Sequence, residues 1–178
     1  VWQRCRKARE LSDVIIATDD ERIATAATAF GAEVALTSSS HQSGTDRIAE
    51  VAAGLKGVTH VLNIQGDEPT ISPALIDRLA RTMREDRNVR MITASTPLTA
   101  PEEIIDPNCV KVVTDHEGNA LYFSRSPIPH NRDGIPGVRH HLHLGLYGYA
   151  LKTLKAFVGW KRSPLEKAEQ LEQLRALE

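Results

Sequence analysis

The sequence is short of several things. It has no run approaching the roughly 18 apolar residues that a membrane-spanning helix needs, and no charged-then-apolar opening segment of the secretory kind. Its two cysteines, Cys5 and Cys109, stand apart at no metal or redox spacing. That excludes a disulfide framework and points to reduced thiols in a cytoplasmic protein. Charge of one sign is not in excess: 22 Lys and Arg stand against 23 Asp and Glu, a net charge of −1. Binding of nucleic acid or of a membrane surface by field alone is therefore not expected. Internal repeats and low-complexity tracts are missing too. No Met opens the chain, and both "VWQRCRKARELS" and "LEQLRALE" read as helices in progress, with Val1, Cys5 and Ala8 on one stripe of the first. The expectation is an internal piece of a longer protein.

What is present suits a globular core: 41% of the 178 residues are apolar. Strand and helix patterns alternate along the first hundred residues. "DVIIATD" (13–19), "AEVALT" (32–37), "VTHVLNI" (58–64) and "VRMITASTPL" (89–98) read as strands. Between them, "DERIATAATAFG" reads as a helix capped by Asp19 or Asp20 and closed by Gly31. "TDRIAEVAAGL" (45–55) is amphipathic, and "SPALIDRLARTMRE" (72–85) opens on Ser72 and Pro73. This alternation predicts an α/β domain with a mostly parallel sheet covered by helices on both faces. From about 109 to 150 the pattern turns β-rich. "CVKVVTDHEGNALYFSR" reads as a hairpin turning at Glu117, Gly118 and Asn119, "SPIPHNRDGIPG" as a loop, and "HLHLGLYGY" as an alternating strand. The stretches 150–160 and 163–178 read as two closing helices. No linker marks a boundary, so residues 1–178 are expected to form a single domain with a β-rich sub-domain.

Five constellations could carry chemistry. "NIQGDEP" ends a buried strand with Gln65, Gly66, Asp67 and Glu68 before Pro69 stops it. In parallel sheets ligands bind beyond the carboxyl ends of strands, and a carboxylate there can hold Mg²⁺ together with substrate phosphates; an ordinary βα turn explains the residues equally well. "SHQSGTDR" (40–47) opens a helix with a polar loop, as an anion or nucleobase site does, or as Ser43 or Thr45 simply capping it would. In "HLHLGLYGY", period two places His141, His143, Gly145, Tyr147 and Tyr149 on one face and the leucines on a core face. His-x-His on a strand could also begin a zinc site, though no third ligand follows at a recognisable spacing. Ser163 and Glu166 match a capping box, which leaves Glu172 on a surface helix. Arg125 follows the strand "ALYFS", where it could grip a carboxylate or make a surface ion pair.

Taken in order, "IIATDDERI", "HQSGTDRIAEV", "NIQGDEPTI", "PNCVKVVTDHEGNALYFSRSPIPHNRDG", "HLGLYGY" and "SPLEKAEQLEQLRALE" resemble the 3-deoxy-manno-octulosonate cytidylyltransferase family over nearly all of residues 13–178. The resemblance implies a nucleotide-sugar-transferase-like, Rossmann-like sheet flanked by helices, with a smaller β-rich insertion used in homodimer contacts. It implies a nucleotidyltransferase that moves CMP from CTP to the anomeric hydroxyl of Kdo, giving CMP-Kdo for lipopolysaccharide synthesis, with Mg²⁺ as cofactor. Carried over by position, Asp67 is the metal ligand, with Gln65 beside it. Ser43, Gly44 and Arg47 belong to the nucleotide site, and Arg125, His143, Tyr147, Glu172 and Gln173 line the Kdo pocket. The family's opening Arg- and Lys-bearing triphosphate loop and its late Gly-Val-Asp-Thr-Pro segment have no counterpart here, so these 178 residues alone are expected to be inactive, with a damaged sheet if the missing strand is central. The competing expectations are a cytidylyltransferase for another acidic sugar, a non-catalytic nucleotide or sugar binder, and a His-dependent metal hydrolase built on His141 and His143.

Overall fold

The computed structural model describes residues 1–178, which fall into two compact units. The first comprises Val1–Ile92 and Leu146–Val158, the second Thr93–Gly145 and Gly159–Glu178.

In the first unit, α1 (Trp2–Cys5) is a single turn, shorter than its apolar stripe suggests. The chain after it is held by side chains rather than by helix bonds. Asp77 accepts from the backbone N–H groups of Arg9 at 2.7 Å and Glu10 at 2.9 Å, and Arg4 Nε donates to the Ile71 carbonyl at 2.8 Å. Then β1 (Ile15–Thr18) pairs in parallel with β2 (Glu33–Leu36), Ile15 opposite Glu33 and Thr18 opposite Leu36. The intervening α2 (Glu21–Ala29) starts at Asp20, whose carboxylate accepts from the Arg22 and Ile23 amides, and ends before Gly31 at φ 84°. That left-handed conformation favours glycine. Next come α3 (Gly44–Gly54), β3 (His60–Ile64), α4 (Pro73–Glu85) and the start of β4 (Met91–Leu98).

The second unit holds the rest of β4, α5 (Pro101–Ile105), the hairpin β5 (Lys111–Thr114) and β6 (Ala120–Ser124), and the first half of β7 (His140–Ala150). Asp115 builds the hairpin turn, its carboxylate accepting from the Glu117 and Asn119 amides, with Gly118 at φ 87°. Lys111 pairs with Ser124 on β6 and with Leu142 on β7, both antiparallel. The second half of β7 returns to the first unit, pairs antiparallel with β3 from His60–Ala150 to Ile64–Leu146, and leads into α6 (Leu151–Phe157).

The α/β layering of the first unit is as expected, with β1 and β2 parallel, while β3 pairs antiparallel with β7. The strand beside β3 is β7, which arrives from the β-rich stretch without a helical crossover, and only such a crossover brings a parallel partner. A second difference concerns the faces of β7. Tyr149, expected on a polar face, is 1% exposed and packs with Ala52 and Leu154, while Leu146 on the other face is equally buried. The strand is covered on both sides. A third is the closing helix, which breaks in two: α7 (Pro164–Glu169) stops at Gln170, φ 52°, and a 3-10 helix covers Glu172–Ala176. The break turns Leu171 and Leu174 into a cluster with Val112 and Phe123.

Among the glycines, Gly148 leaves the least room for a side chain. A Cβ there would fall 2.5 Å from Met83 Sδ and 2.7 Å from both Ile92 Cγ2 and Leu62 Cδ2. Gly148→Ala is expected to destabilise by about 1–3 kcal/mol through overpacking, read as a lower urea midpoint; an unchanged midpoint contradicts this packing.

Candidate functional site

In the first unit the candidate residues gather at the first turn of α3. Along β3, period two turns Val61, Asn63 and Gln65 toward α3, and Val61 joins Ile48, Ala49 and Ala52 in one apolar cluster. Gly44 lies over this row: a Cβ on it would stand 3.3 Å from Gln65 Nε2 and 3.8 Å from Asn63 Nδ2. The 3.3 Å approach is tighter than a side chain ordinarily tolerates, so glycine permits the seating. Ser43 is the N-cap. Its Oγ accepts from the Asp46 amide at 3.1 Å and donates to Asp46 Oδ2 at 2.9 Å. One turn in, Arg47 Nη1 donates to Thr37 Oγ1 at 2.5 Å and pairs with Asp19 Oδ1 at 3.2 Å. Asp19 follows β1, Thr37 follows β2 and Gln65 follows β3, so three strand ends converge on the start of one helix. The preceding loop is tied down by Glu50. Its carboxylate accepts from the Ser38 amide at 3.1 Å and bonds His41 Nε2, and the His41 contact is the main reason its pKa is lowered.

Beyond β3 the chain turns tightly, the Glu68 amide donating to the Gln65 carbonyl at 3.3 Å. The turn carries Asp67 outward as an exposed residue, its carboxylate in no hydrogen bond or ion pair. No group of three or more His, Cys, Asp and Glu residues gathers anywhere in the chain. Asp67 is thus a lone carboxylate, and the only cation such a donor set could suit is a hard one that takes its remaining ligands from water and phosphate oxygens. The set does not fit a cation enclosed by protein ligands, and His141 and His143 assemble no zinc site.

In the second unit His143 is 8% exposed. Its backbone N–H donates to the Val110 carbonyl at 2.8 Å, and its ring meets Phe123 edge-on, centroids 4.9 Å apart. Thr93 Oγ1 lies 2.9 Å from Nε2 and donates to the Leu144 carbonyl at 3.2 Å, so Nε2–H is the donor to Thr93; Gln173 Nε2 approaches Nδ1 at 3.5 Å. Desolvation lowers the His143 pKa to about 4, which leaves a neutral imidazole at pH 7. The structure thus brings His143 and Gln173 together. Arg125 is engaged with backbone: Nε donates to the Glu169 carbonyl at 2.8 Å, Nη1 to the Pro107 carbonyl at 2.9 Å and Nη2 to the Gln170 carbonyl at 3.3 Å. Glu172 is half-buried and lies 3.6 Å from Arg175 Nη2. Tyr147 belongs to the first unit, opposite Asn63 in the β3–β7 register and with its ring centroid 6.1 Å from that of Tyr149.

Glu166 of the capping box and two residues that the sequence did not single out prove important to these arrangements. Glu166, 2% exposed, closes the expected capping box and also takes a two-pronged grip from Arg175, Nε to Oε2 at 2.8 Å and Nη2 to Oε1 at 2.6 Å. Hydrogen bonding from Arg175 is the leading cause of its lowered pKa. That pair anchors the 3-10 helix bearing Glu172 and Gln173. Glu169 accepts from Ser124 Oγ at 2.7 Å and the Arg125 amide at 2.9 Å. Asn63 is 6% exposed and its Nδ2 has no hydrogen-bond partner. The capping pattern signalled Glu166; the other two have no local sequence signal, because their surroundings are contributed by distant segments.

A model of the cytidylyltransferase family matches residues 1–178. A 3-deoxy-manno-octulosonate cytidylyltransferase of Solibacter usitatus is 49% identical over 178 residues, 100% of this chain and 70% of the relative. The enzyme of the same name from Geobacter metallireducens is 46% identical over 188 residues, 100% of this chain and 74% of the relative. Among solved structures, CMP:2-keto-3-deoxy-manno-octonic acid synthetase complexed with CTP superposes with a TM-score of 0.93 at 38% identity, covering 99% of this chain and 72% of that one. A 4-diphosphocytidyl-2C-methyl-D-erythritol synthase from Anaerococcus prevotii shares the fold alone, with a TM-score of 0.56 at 14% identity.

Because the folded-state pKa of His143 lies below the ordinary 6.5, its contribution to stability is complete above about pH 6.5 and is lost as pH falls toward about 4. The loss amounts to about 3 kcal/mol. Urea unfolding of His143→Gln should show a pH 7 to pH 4 loss of stability smaller than wild type by that order; identical losses contradict the buried neutral state.

Proposed function

Because the chain belongs to the cytidylyltransferase family, we propose that it transfers CMP from CTP to the anomeric hydroxyl of 3-deoxy-manno-octulosonate, releasing pyrophosphate. The observation that carries this reading is the first turn of α3, where Gly44, Arg47 and the ends of β1, β2 and β3 meet, within a chain 45–49% identical along its whole length to enzymes of that name. The sugar hydroxyl attacks the α-phosphorus in line. An oxygen–phosphorus bond forms, the bond to the β-phosphate oxygen breaks, and the hydroxyl proton is released. The protein's work is positioning and charge neutralisation rather than covalent chemistry.

The residues take the following roles in this reading. Gly44, with Ser43 holding the helix start, gives the nucleotide close access to backbone. Arg47, fixed by Asp19 and Thr37, contributes positive charge, and the Gln65 amide faces the same place. Asp67 would hold Mg²⁺, whose bound charge would neutralise the triphosphate oxygens. What supports this role is an exposed carboxylate with no structural duty. The neutral His143, Gln173, Glu172, Arg125 and Tyr147 belong to sugar recognition. With both ring nitrogens engaged by Thr93 and Gln173, the neutral imidazole serves by positioning Gln173 without an unpaired buried charge. Arg125 spends three of its five N–H donors on carbonyls, so its part includes shaping the 107 and 169–170 segments. Exposed Ile105, Leu121 and Ile135 in the second unit provide apolar surface for a homodimer contact. Two free cysteines suit a cytoplasmic setting in which the product serves lipopolysaccharide synthesis.

The test is CTP- and Kdo-dependent pyrophosphate release by the full natural chain. Asp67→Asn should lower kcat/KM by about 100-fold or more with an unchanged melting temperature, because no fold contact is lost. A variant with wild-type turnover contradicts the role of Asp67, and a wild-type protein that releases no pyrophosphate with Kdo contradicts the reading as a whole.

A further inference from the structure

One hydroxyl in the second unit has a direction that the backbone fixes. Thr93 lies on β4, half-buried, and its Oγ1 meets two groups. It donates to the Leu144 carbonyl at 3.2 Å, and His143 Nε2 stands 2.9 Å away. A backbone carbonyl can only accept, and a hydroxyl has a single proton. With that proton given to Leu144, Oγ1 accepts from Nε2–H. A valine would fill a similar volume and suit a strand equally well, without this polarity.

The direction passes through the ring. In a neutral imidazole the nitrogen without a proton is an acceptor, and burial keeps this ring neutral, with a pKa of about 4. Nδ1 therefore presents a lone pair. Gln173 faces it from the 3-10 helix with Nε2 at 3.5 Å, and the NH2 end of the amide is the end that can answer a lone pair. The amide is thus held with its nitrogen toward the ring and Oε1 away from it. That oxygen accepts no hydrogen bond, and the fold does not seal it off as it seals the unpartnered Trp2 Nε1 and Asn63 Nδ2. It keeps an opening to solvent. We propose, resting on the cytidylyltransfer reading above, that Thr93 is a positioning residue for sugar recognition: by fixing the tautomer of His143 it turns the Gln173 carbonyl oxygen toward the sugar, where it accepts from a hydroxyl.

The bonds from Gln173 to His143, from His143 to Thr93 and from Thr93 to Leu144 all run one way. They end on the backbone of β7, which cannot reverse them. A glutamine amide without such a constraint presents oxygen or NH2 with similar ease, because its two ends have nearly the same shape. The fixed orientation gives the site a rule. It takes a ligand group that has a proton to donate, and it disfavours an ether oxygen or a fluorine at the same place, which would leave Oε1 unpaired.

Thr93→Val removes the hydroxyl at nearly constant volume, and Thr93→Ser restores it. Nitrogen NMR of the imidazoles in the full natural chain reads the tautomer. Wild type and Thr93→Ser should show His143 protonated at Nε2, and Thr93→Val should move toward protonation at Nδ1. In the pyrophosphate-release assay, Thr93→Val should raise KM for Kdo about fivefold and leave KM for CTP unmoved, while Thr93→Ser keeps both at wild-type values. A Thr93 that only supports the fold gives a lower melting temperature in Thr93→Val with the tautomer and the Kdo KM unchanged, and that result overturns the inference. So does an equal rise in KM for Kdo and CTP. A wild-type His143 protonated at Nδ1 overturns it without any variant, which keeps the test decisive should the valine variant fail to fold. A wild-type protein that releases no pyrophosphate with Kdo overturns the cytidylyltransfer reading itself, whichever tautomer is found.

Discussion

The close approach of the α3 start to the end of β3 is the constraint on which the functional arrangement depends. Gly44 can sit 3.3 Å (measured to its virtual Cβ) from the Gln65 amide because it has no side chain. A Cβ there would require the end of the Gln65 side chain to give by a few tenths of an ångström. Once the helix start is placed, the rest follows from it. Ser43 must cap the helix from the loop side, and Arg47, one turn on, reaches both Asp19 and Thr37. Arg47 thereby draws the ends of β1 and β2 to the same turn that meets β3. The attractive terms are modest individually, since a partly exposed ion pair contributes little. What they do is fix direction: amides, a guanidinium and a strand-end carboxylate are held by backbone elements rather than by mobile loops.

The two groups of candidate residues are held in opposite ways. In the first unit, Asn63 Nδ2 is buried without an acceptor, while Asp67 stands exposed, outside any hydrogen bond or ion pair. In the second unit the demands are met internally. Lys111, 0% exposed, gives its ammonium to the Asp106 and Arg125 carbonyls. Arg125 gives its guanidinium to three more, and His143 hydrogen-bonds through both ring nitrogens. A satisfied buried network specifies one arrangement, which suits the rigid framework that the proposed sugar recognition calls for.

Much of the fold was legible from local pattern, and the limits of that legibility are physical. The caps at Asp20, Ser43 and Ser163, the Asp115–Asn119 hairpin and the helical face of α3 depend on residues within a few positions, so a linear reading finds them. The partner of β3 was not legible. Period two states which face is buried, not which strand lies beside it or in which direction. The break at Gln170 was hidden for a similar reason. "SPLEKAEQLEQLRALE" is a good helix by propensity, but Glu169 is claimed by Ser124 and Arg125 about 45 residues earlier, and Leu171 and Leu174 by Val112 and Phe123. Among the candidate site residues, position along the motif sufficed to nominate Gly44, Arg47, Asp67 and His143. It could not reveal that Arg125 is occupied by carbonyls, or that Asn63, an unremarked member of a strand, is the one buried amide of β3 left unpaired.

The central claim is that CTP is seated where three strand ends meet the first turn of α3. Hydrogen–deuterium exchange of the full natural chain with and without CTP tests it most directly, because backbone amides that receive a ligand exchange more slowly. The account predicts slowed exchange at Gly44–Arg47 and in the Gln65–Glu68 turn. Protection confined to the 126–139 loop, with none at the start of α3, would contradict it.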